Sequence, residues 1–390
     1  MKDYKPHADP ISRQDPLRRI VEHRMSRRDV LKYAGVGAGA FALSPLLAAC
    51  GGGAETTTPA ASGSAASGSS TPIKFVFSAD PVWNWLEDKG IVSEMEKASG
   101  YHIDRNETED EFAFFAGGHA DVVSMGSYEV PVLEKETGVK TVTFAKYNMG
   151  KDMLCVDPAK GYNSFAELPK PGKVGLESAT NSAHAWIALA ASEGRTLSKD
   201  PGDLQIVVTD FAVAPELVLK GQLDAGCTAY MNAVKYLMND KVKIMYDGKG
   251  VSQIFEAKFA PGHEGFDSNN FVCTQKYYDA HPGEVAFFAS VWERGVQEFW
   301  ANMPEIIKQY PNDFGWQTDA EYNWVVDHLT NGWNEWVKTV YLDETWIKGE
   351  DGVMTLLVDQ GQIPADQARP FYVAIDPATG KETYSQPAGA

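Results

Sequence analysis

The chain is poor in the side chains that most chemistry depends on. Its 390 residues hold 4 cysteines and 8 histidines. No C-x-x-C, H-E-x-x-H or G-x-S-x-G occurs, so thiol–disulfide, zinc-peptidase and serine-hydrolase centres have no sequence basis. His119, His184, His263 and His281 are scattered, and His263-Glu264 is a lone pair among glycines. No catalytic residue, metal or cofactor is expected. Three cysteines follow residue 50: Cys155, Cys227 and Cys273. Their spacing fits no zinc pattern and no disulfide framework, so they read as small buried hydrophobes. A Cys155–Cys227 or Cys227–Cys273 bridge is the alternative. After Pro72 there is no run of about 18 apolar residues that could span a membrane. Positive charge is scarce as well: 35 basic residues face 53 acidic ones. Residues 1–50 carry nine basic and five acidic residues, which leaves a net of −22 for the remainder. So acidic a surface argues against nucleic acid and against polybasic membrane contact.

What is present begins with Ser26–Gly51, SRRDVLKYAGVGAGAFALSPLLAACG. Arg27 and Arg28, followed by Val30, Leu31 and Lys32, resemble a twin-arginine export signal. The Gly/Ala-rich run to Ala49 ends in Leu47-Ala48-Ala49-Cys50-Gly51, which resembles the lipobox of bacterial lipoproteins. The expectation is a signal peptide over 1–49 and a lipidated Cys50. Residues 50–72 are then a flexible tether of Gly, Ala, Ser, Thr and Pro. Diacyl lipid on Cys50 would hold the chain on the outer face of the cytoplasmic membrane, in the periplasm or at the cell surface.

The remaining 318 residues suffice for two lobes. Strand and helix patterns alternate along them. Ile73–Ser78 reads as a strand, Trp83–Ser99 as a helix, Tyr101–Arg105 as a strand and Glu111–Ala116 as a helix. His119–Ser124 follows as a strand and Val130–Glu136 as a helix. Strands at Val139–Ala145, Met153–Val156, Lys173–Leu176, Leu204–Thr209, Ala225–Thr228 and Val242–Tyr246 are interleaved with helices at Ser182–Ser192, Pro215–Lys220 and Asn232–Met238. This is an α/β pattern of mostly parallel sheets flanked by helices. From Tyr277 onward the pattern turns helical and tryptophan-rich, and these tryptophans read as packing residues.

Several segments carry a resemblance. Ala116-Gly117-Gly118-His119-Ala120-Asp121-Val122 with Gly126-Ser127 and Pro131 is similar to a segment of periplasmic solute-binding proteins. The subgroup serves nitrate, sulfonate, taurine and thiamine-precursor importers. Asn163–Pro169 with Lys173–Gly175, Ser178–His184, Glu216–Tyr230, and Asn270–Val272 with Tyr277–Glu284 resemble further segments in the same order. Cys227-Thr228-Ala229-Tyr230 departs from the family's aromatic dipeptide, and Pro171 interrupts its usual run. The resemblance implies a two-lobed type II periplasmic-binding-protein fold with a hinge of two chain crossings. Lobe 1 would be 73–148 and 250–390, and lobe 2 would be 149–249. It implies a monomeric substrate-binding component of an ABC importer. That component captures a small organic solute and hands it to a permease with its ATPase subunit. A lipid-tethered solute sensor is one alternative and an exported enzyme another.

Open α/β sheets bind ligands beyond the carboxyl ends of their strands. This places Asp80 and Trp83, then Gly126, Ser127 and Tyr128, then Phe211 with Asp210, then Tyr230 and Asn232, and finally Asn270 with Asn269 around one cleft. Ser178, Thr180, Asn181 and Ser182 form a helix start that reads either as an anion site or as ordinary capping. Trp83, Tyr128, Phe211 and Tyr230 offer flat faces, and the alternative for each is packing. His184 reads as a first-turn packing residue. These loops contain no Arg and no Lys, which weakens a nitrate or sulfonate reading. Asp80 and Asp210 leave room for an amine or heterocycle, and the aromatics also suit an aromatic acid.

Overall fold

The computed structural model describes residues 71–386 apart from 109, 178–182, 259–260, 262–263, 266, 334 and 360–368. Arg27, Arg28 and Cys50 lie outside the described residues, as do Ser178, Thr180, Asn181 and Ser182. All of the described helices and strands belong to one compact unit, residues 68–116 and 120–390.

The chain begins with β1 (Ile73–Phe77), α1 (Pro81–Asp88), α2 (Ile91–Ser99), β2 (Ile103–Glu107), α3 (Glu111–Ala116), β3 (Val122–Met125), α4 (Glu129–Thr137) and β4 (Thr141–Met149). It continues with β5 (Asp152–Val156), β6 (Gly172–Leu176), α5 (Ala183–Ser192), β7 (Leu197–Ser198), β8 (Leu204–Val208), α6 (Ala214–Leu219), β9 (Ala225–Ala229), α7 (Tyr230–Leu237), β10 (Lys243–Ile244) and α8 (Val251–Lys258). It closes with β11 (Asp267–Thr274), α9 (Gln275–Ala280), α10 (Pro282–Gln309), α11 (Asp319–His328), α12 (Glu344–Asp359), β12 (Tyr372–Ile375) and β13 (Glu382–Gln386).

These strands build two sheets. The first has the order β13-β12-β4-β11-β3-β1-β2 and the second β10-β5-β9-β6-β8-β7. β1 shows why its residues take a central place. Phe75 and Phe77 point to one face, where they meet Trp83, Phe288 and Trp292, while Val76 points to the other, with Phe115 and Leu133. A strand buried on both faces needs large apolar side chains at every position, and a parallel sheet covered by helices supplies that burial. The second sheet has its own core, centred on Phe165, Trp186 and Phe255.

The sheets are mixed rather than mostly parallel. β11 runs antiparallel to both β3 and β4, and β5 runs antiparallel to β9 and β10. β5 follows β4 of the first sheet after two residues, without the crossover helix that would impose a parallel direction. The expected helix over Trp83–Ser99 divides in two, because Gly90 takes a left-handed φ of 72° and starts α2. The C-terminal region is not wholly helical. β12 and β13 form a hairpin on the edge of the first sheet, and β12 also pairs with β4. The signal was Tyr372-Val373-Ala374-Ile375 followed by an Asp376-Pro377 turn that ends at Gly380. Cys155, Cys227 and Cys273 are free and buried. Leu154 pairs with Cys227 and Cys155 with Gly226, so the pleat sends the sulfurs of Cys155 and Cys227 to opposite faces. Cys273 lies in the first sheet.

The far end of α10 and α11 packs across both sheets. Phe299, Ile306, Phe314, Val325 and Trp336 share one apolar cluster with Val82 and Trp85 of α1 and with Met153, Tyr230 and Val234 of the second sheet's side. α10 is broken at Asn302, two residues before Pro304, whose ring and missing N–H interrupt the helical ladder. Gly315 seals this packing. At a φ of 69°, a Cβ there would stand 1.9 Å from the Met231 carbonyl oxygen. Gly315→Ala should therefore destabilise the protein by about 2 kcal/mol or more, through backbone strain plus overpacking. Urea unfolding followed by tryptophan fluorescence checks this.

Candidate cleft at the crossing between the sheets

The chain passes from the first sheet to the second in two residues, Gly150 and Lys151, between β4 and β5. Other segments converge on this crossing. Asn148 bridges to Trp336, and the Met149 N–H donates to the Glu335 carbonyl at 2.7 Å. Ser252 Oγ donates to the Gly150 carbonyl at 2.8 Å. On the second-sheet side, Asp152 pairs with Ala229, so Tyr230 starts α7 directly beside it.

Asp80 follows β1 and caps α1. Its Oδ1 accepts from the N–H of Val82 at 2.7 Å and of Trp83 at 3.3 Å, and its Oδ2 accepts from Tyr147 Oη at 2.6 Å. Despite these donors, burial pushes the carboxyl up to about 6, with the Glu335 charge adding to the rise. Asp152 is pushed up to about 7, first by burial and then by the charge of Glu177, while Lys151 opposes the rise. Lys151 Nζ pairs with Glu335 Oε2 at 2.9 Å. Burial works against its charge, but Glu335 prevails and the ammonium is held above its ordinary value. Burial together with Glu335 and Asp80 raises the Tyr230 hydroxyl well above its ordinary value. Acids from both sheets and from the C-terminal segment thus share one electrostatic neighbourhood.

The loop after β3 is held by its own set of contacts. Asn270 Nδ2 on β11 donates to Ser127 Oγ at 2.9 Å. The Gly126 N–H donates to Glu129 Oε2 at 3.0 Å, and a Cβ at Gly126 would strike the Tyr128 ring at 2.7 Å. Tyr128 reaches the helices of the second sheet: its ring lies 5.3 Å from that of His184, and it packs with Ala188 of α5 and Met354 of α12.

The structure brings Asp80 and Tyr230 into the neighbourhood of Glu335, and it joins Ser127 to Asn270, beside Gly126 and Tyr128, as a second group. It places others elsewhere. Trp83 is buried in the first sheet's core against Phe75, Phe77 and Trp292, so it packs and offers no face to the cleft. Phe211 is half-buried on the second core, and its carbonyl accepts from Thr228 Oγ1 at 2.9 Å. Asp210 is exposed and turns back to accept from the Ala212 N–H at 2.7 Å. Asn232 is half-buried in the first turn of α7. His184 packs in the first turn of α5, as expected. Sequence reasoning missed Tyr147, Lys151, Asp152, Glu177 and Glu335. The first three flank the crossing, where a short polar link between two apolar strands was the available signal. Glu335 carried none. Among the described residues, no group of three or more His, Cys, Asp or Glu is placed to hold a metal ion. No helix among them is long and apolar enough to cross a membrane.

The family model described as NMT1/THI5 like matches residues 103–306. No curated protein matches by sequence. Among solved structures, the chain is similar to the periplasmic aliphatic sulphonate binding protein SsuA of Escherichia coli. That match has 11% identity and a TM-score of 0.58, and it covers 83% of this chain and 95% of that one. SsuA of Xanthomonas axonopodis pv. citri, bound to MOPS, matches with 14% identity and a TM-score of 0.56, over 75% of this chain and 94% of that one. The Candida albicans CA3427 gene product, which has the generic periplasmic binding protein structural fold, matches with 14% identity and a TM-score of 0.53 over 76% and 92%. The fold is therefore that of the periplasmic binding proteins.

The acids at the crossing give stability a definite pH dependence. The Asp152 carboxyl ionises near 7 when folded, against an ordinary value of 3.8. Its contribution is fully present below the lower value and is lost as pH rises through the upper one, at about 1.4 kcal/mol per unit. Asp152→Asn should remove that loss. Between pH 4 and pH 8 the variant should gain on the parent in urea midpoint.

Proposed function

The chain belongs to the NMT1/THI5-like family, and on that premise we propose that it is the extracytoplasmic solute-binding component of an ABC-type importer. It captures one small organic solute between two lobes and presents the closed form to a permease. The observation that supports this reading is the convergence of strand carboxyl ends on one crossing. β1 delivers Asp80, β6 delivers Glu177 and β9 delivers Tyr230, and these groups couple to Asp152 and Glu335 at the crossing. Buried polar groups from both sheets meet there, where a ligand touching both lobes stabilises the closed state.

In this reading residues 73–149 and 267–386 form lobe 1 and residues 152–258 form lobe 2. The second boundary follows α8, because Val251, Ile254 and Phe255 pack in the second sheet's core. The two-residue link at 150–151 is one strand of the hinge, and the C-terminal helices pack against both lobes. Asp80, Gly126, Ser127, Tyr128, Tyr230 and Asn270 contact the solute, and Ser178, Thr180, Asn181 and Ser182, which lie outside the described residues, are further proposed contacts. Export by the twin-arginine route, lipid on Cys50 and a monomeric state complete the proposal. The chain is a carrier and no catalyst; both SsuA proteins of similar fold are binding proteins.

Isothermal titration of the full chain against small organic acids, amines, sulfonates and heterocycles tests this. One solute class should bind at one molecule per chain. At 100 times its dissociation constant it should add about 2.7 kcal/mol of stability. Absence of binding across the set, with turnover of an ester or amide probe, would favour an exported enzyme instead.

A further inference from the structure

We infer that the solute is a small organic cation, a protonated amine or amidine, seated at the crossing between Asp80, Glu335 and the Tyr230 hydroxyl. This rests on the binding-protein reading and goes beyond it by assigning the charge of the ligand.

Three observations carry it. First, Asp80, Asp152 and Glu335 are each only 5% exposed, and all three lie on the crossing or face it. Among the described residues, the cation that couples to them is Lys151, which Glu335 already holds. Negative charge therefore exceeds positive charge in a region of low dielectric, where each uncompensated acid is costly. Second, the Tyr230 hydroxyl is buried with no hydrogen-bond partner among the described residues, in a residue 1% exposed, and it lies close enough to Asp80 and Glu335 to feel both charges. A buried hydroxyl that is left unpaired is expensive, so a ligand group that satisfies it is favoured. Asp152, hydrogen-bonded by the Cys227 thiol, has its Oδ2 buried without an N–H or O–H donor among the described residues. Third, these acids come from different elements and do not converge as metal ligands do. They suit a charge spread over several N–H donors rather than a point ion. An ammonium or amidinium offers those donors and is hydrogen-bonded strongly by carboxylates. A sulfonate or carboxylate would enter against the same field.

The groups that face this position set its pH dependence. Asp80, Asp152, Glu177 and Glu335 are the acids; Lys151, Tyr147, Tyr230 and the Cys227 thiol surround them, with Glu111 and Asp313 further out. A bound cation draws the acids toward ionisation, so binding releases protons near neutral pH. An anion drives protons the opposite way.

The test uses the full chain and matched probes with one ring and different charge: benzylamine and benzamidine against benzoate and benzenesulfonate. It is extended by a set of small alkyl and heteroaryl amines paired with their carboxylates. Calorimetry at pH 6.5 in two buffers of different ionisation heat reads both affinity and proton transfer. The inference predicts that cations bind at one per chain with proton release, at least tenfold tighter at pH 8 than at pH 5. It also predicts that Tyr230→Phe, which keeps the ring's packing, weakens them at least threefold, and that Glu335→Gln weakens them at least tenfold. Binding of the anions with proton uptake, and none of the cations, would overturn the inference while leaving the binding-protein reading intact. Silence from both sets would overturn both. Equal cation affinity in Tyr230→Phe, Glu335→Gln and the parent would place the amine elsewhere and overturn the assignment.

Discussion

The fold turns on the burial of carboxylates where one chain moves between two sheets in two residues. Because the link at Gly150–Lys151 is so short, Asp152 starts its strand close to the end of β4. Asp80 caps the helix that follows β1 and is tied to Tyr147 of β4. Glu335 is brought in by the backbone contact of its segment with Met149. None of these positions is a free choice of the surface. The result is two aspartates, Asp80 and Asp152, that burial makes reluctant to ionise, beside a glutamate that already holds Lys151.

The rest of the molecule holds that arrangement in place. Each sheet has a separate apolar core, and a third cluster spans them through α10, α11 and Trp336. Trp336 is buried at the residue next to Glu335, with its ring 4.1 Å from that of Phe299. Packing of this kind fixes the backbone that carries the acid. Tyr128 against His184 and Ala188 joins the loop after β3 to α5. A solute that bridges the acids of both lobes would favour the closed arrangement by the difference in its affinity for the two states.

The two-sheet α/β architecture was legible because alternating apolar strands and amphipathic helices leave periodic traces, as at Ile73–Phe77 and Gly172–Leu176. Strand direction was not, because β5 and β11 read locally like any other strand and only the crossing reverses them. Of the cleft residues, Asp80 and Tyr230 followed from their place after a strand. Trp83 followed the same rule, yet its ring turned into the core, since helical phase decides which face a side chain takes. Glu335 could not be found, because its place depends on a contact with Asn148 and Met149 almost 190 residues earlier in the chain. The sulfonate readings weakened by the absence of Arg and Lys from the site loops gain one basic neighbour, Lys151, but Glu335 already holds it.

The central claim is that the crossing is short of positive charge when empty. Carbon-13 NMR titration of the aspartate carboxyl carbons, assigned through Asp80→Asn and Asp152→Asn, reads this directly. Asp80 should titrate near 6 and Asp152 near 7 in the ligand-free protein. Both should fall when a solute binds. Two ordinary carboxyls titrating near 4 in the free protein would contradict the claim.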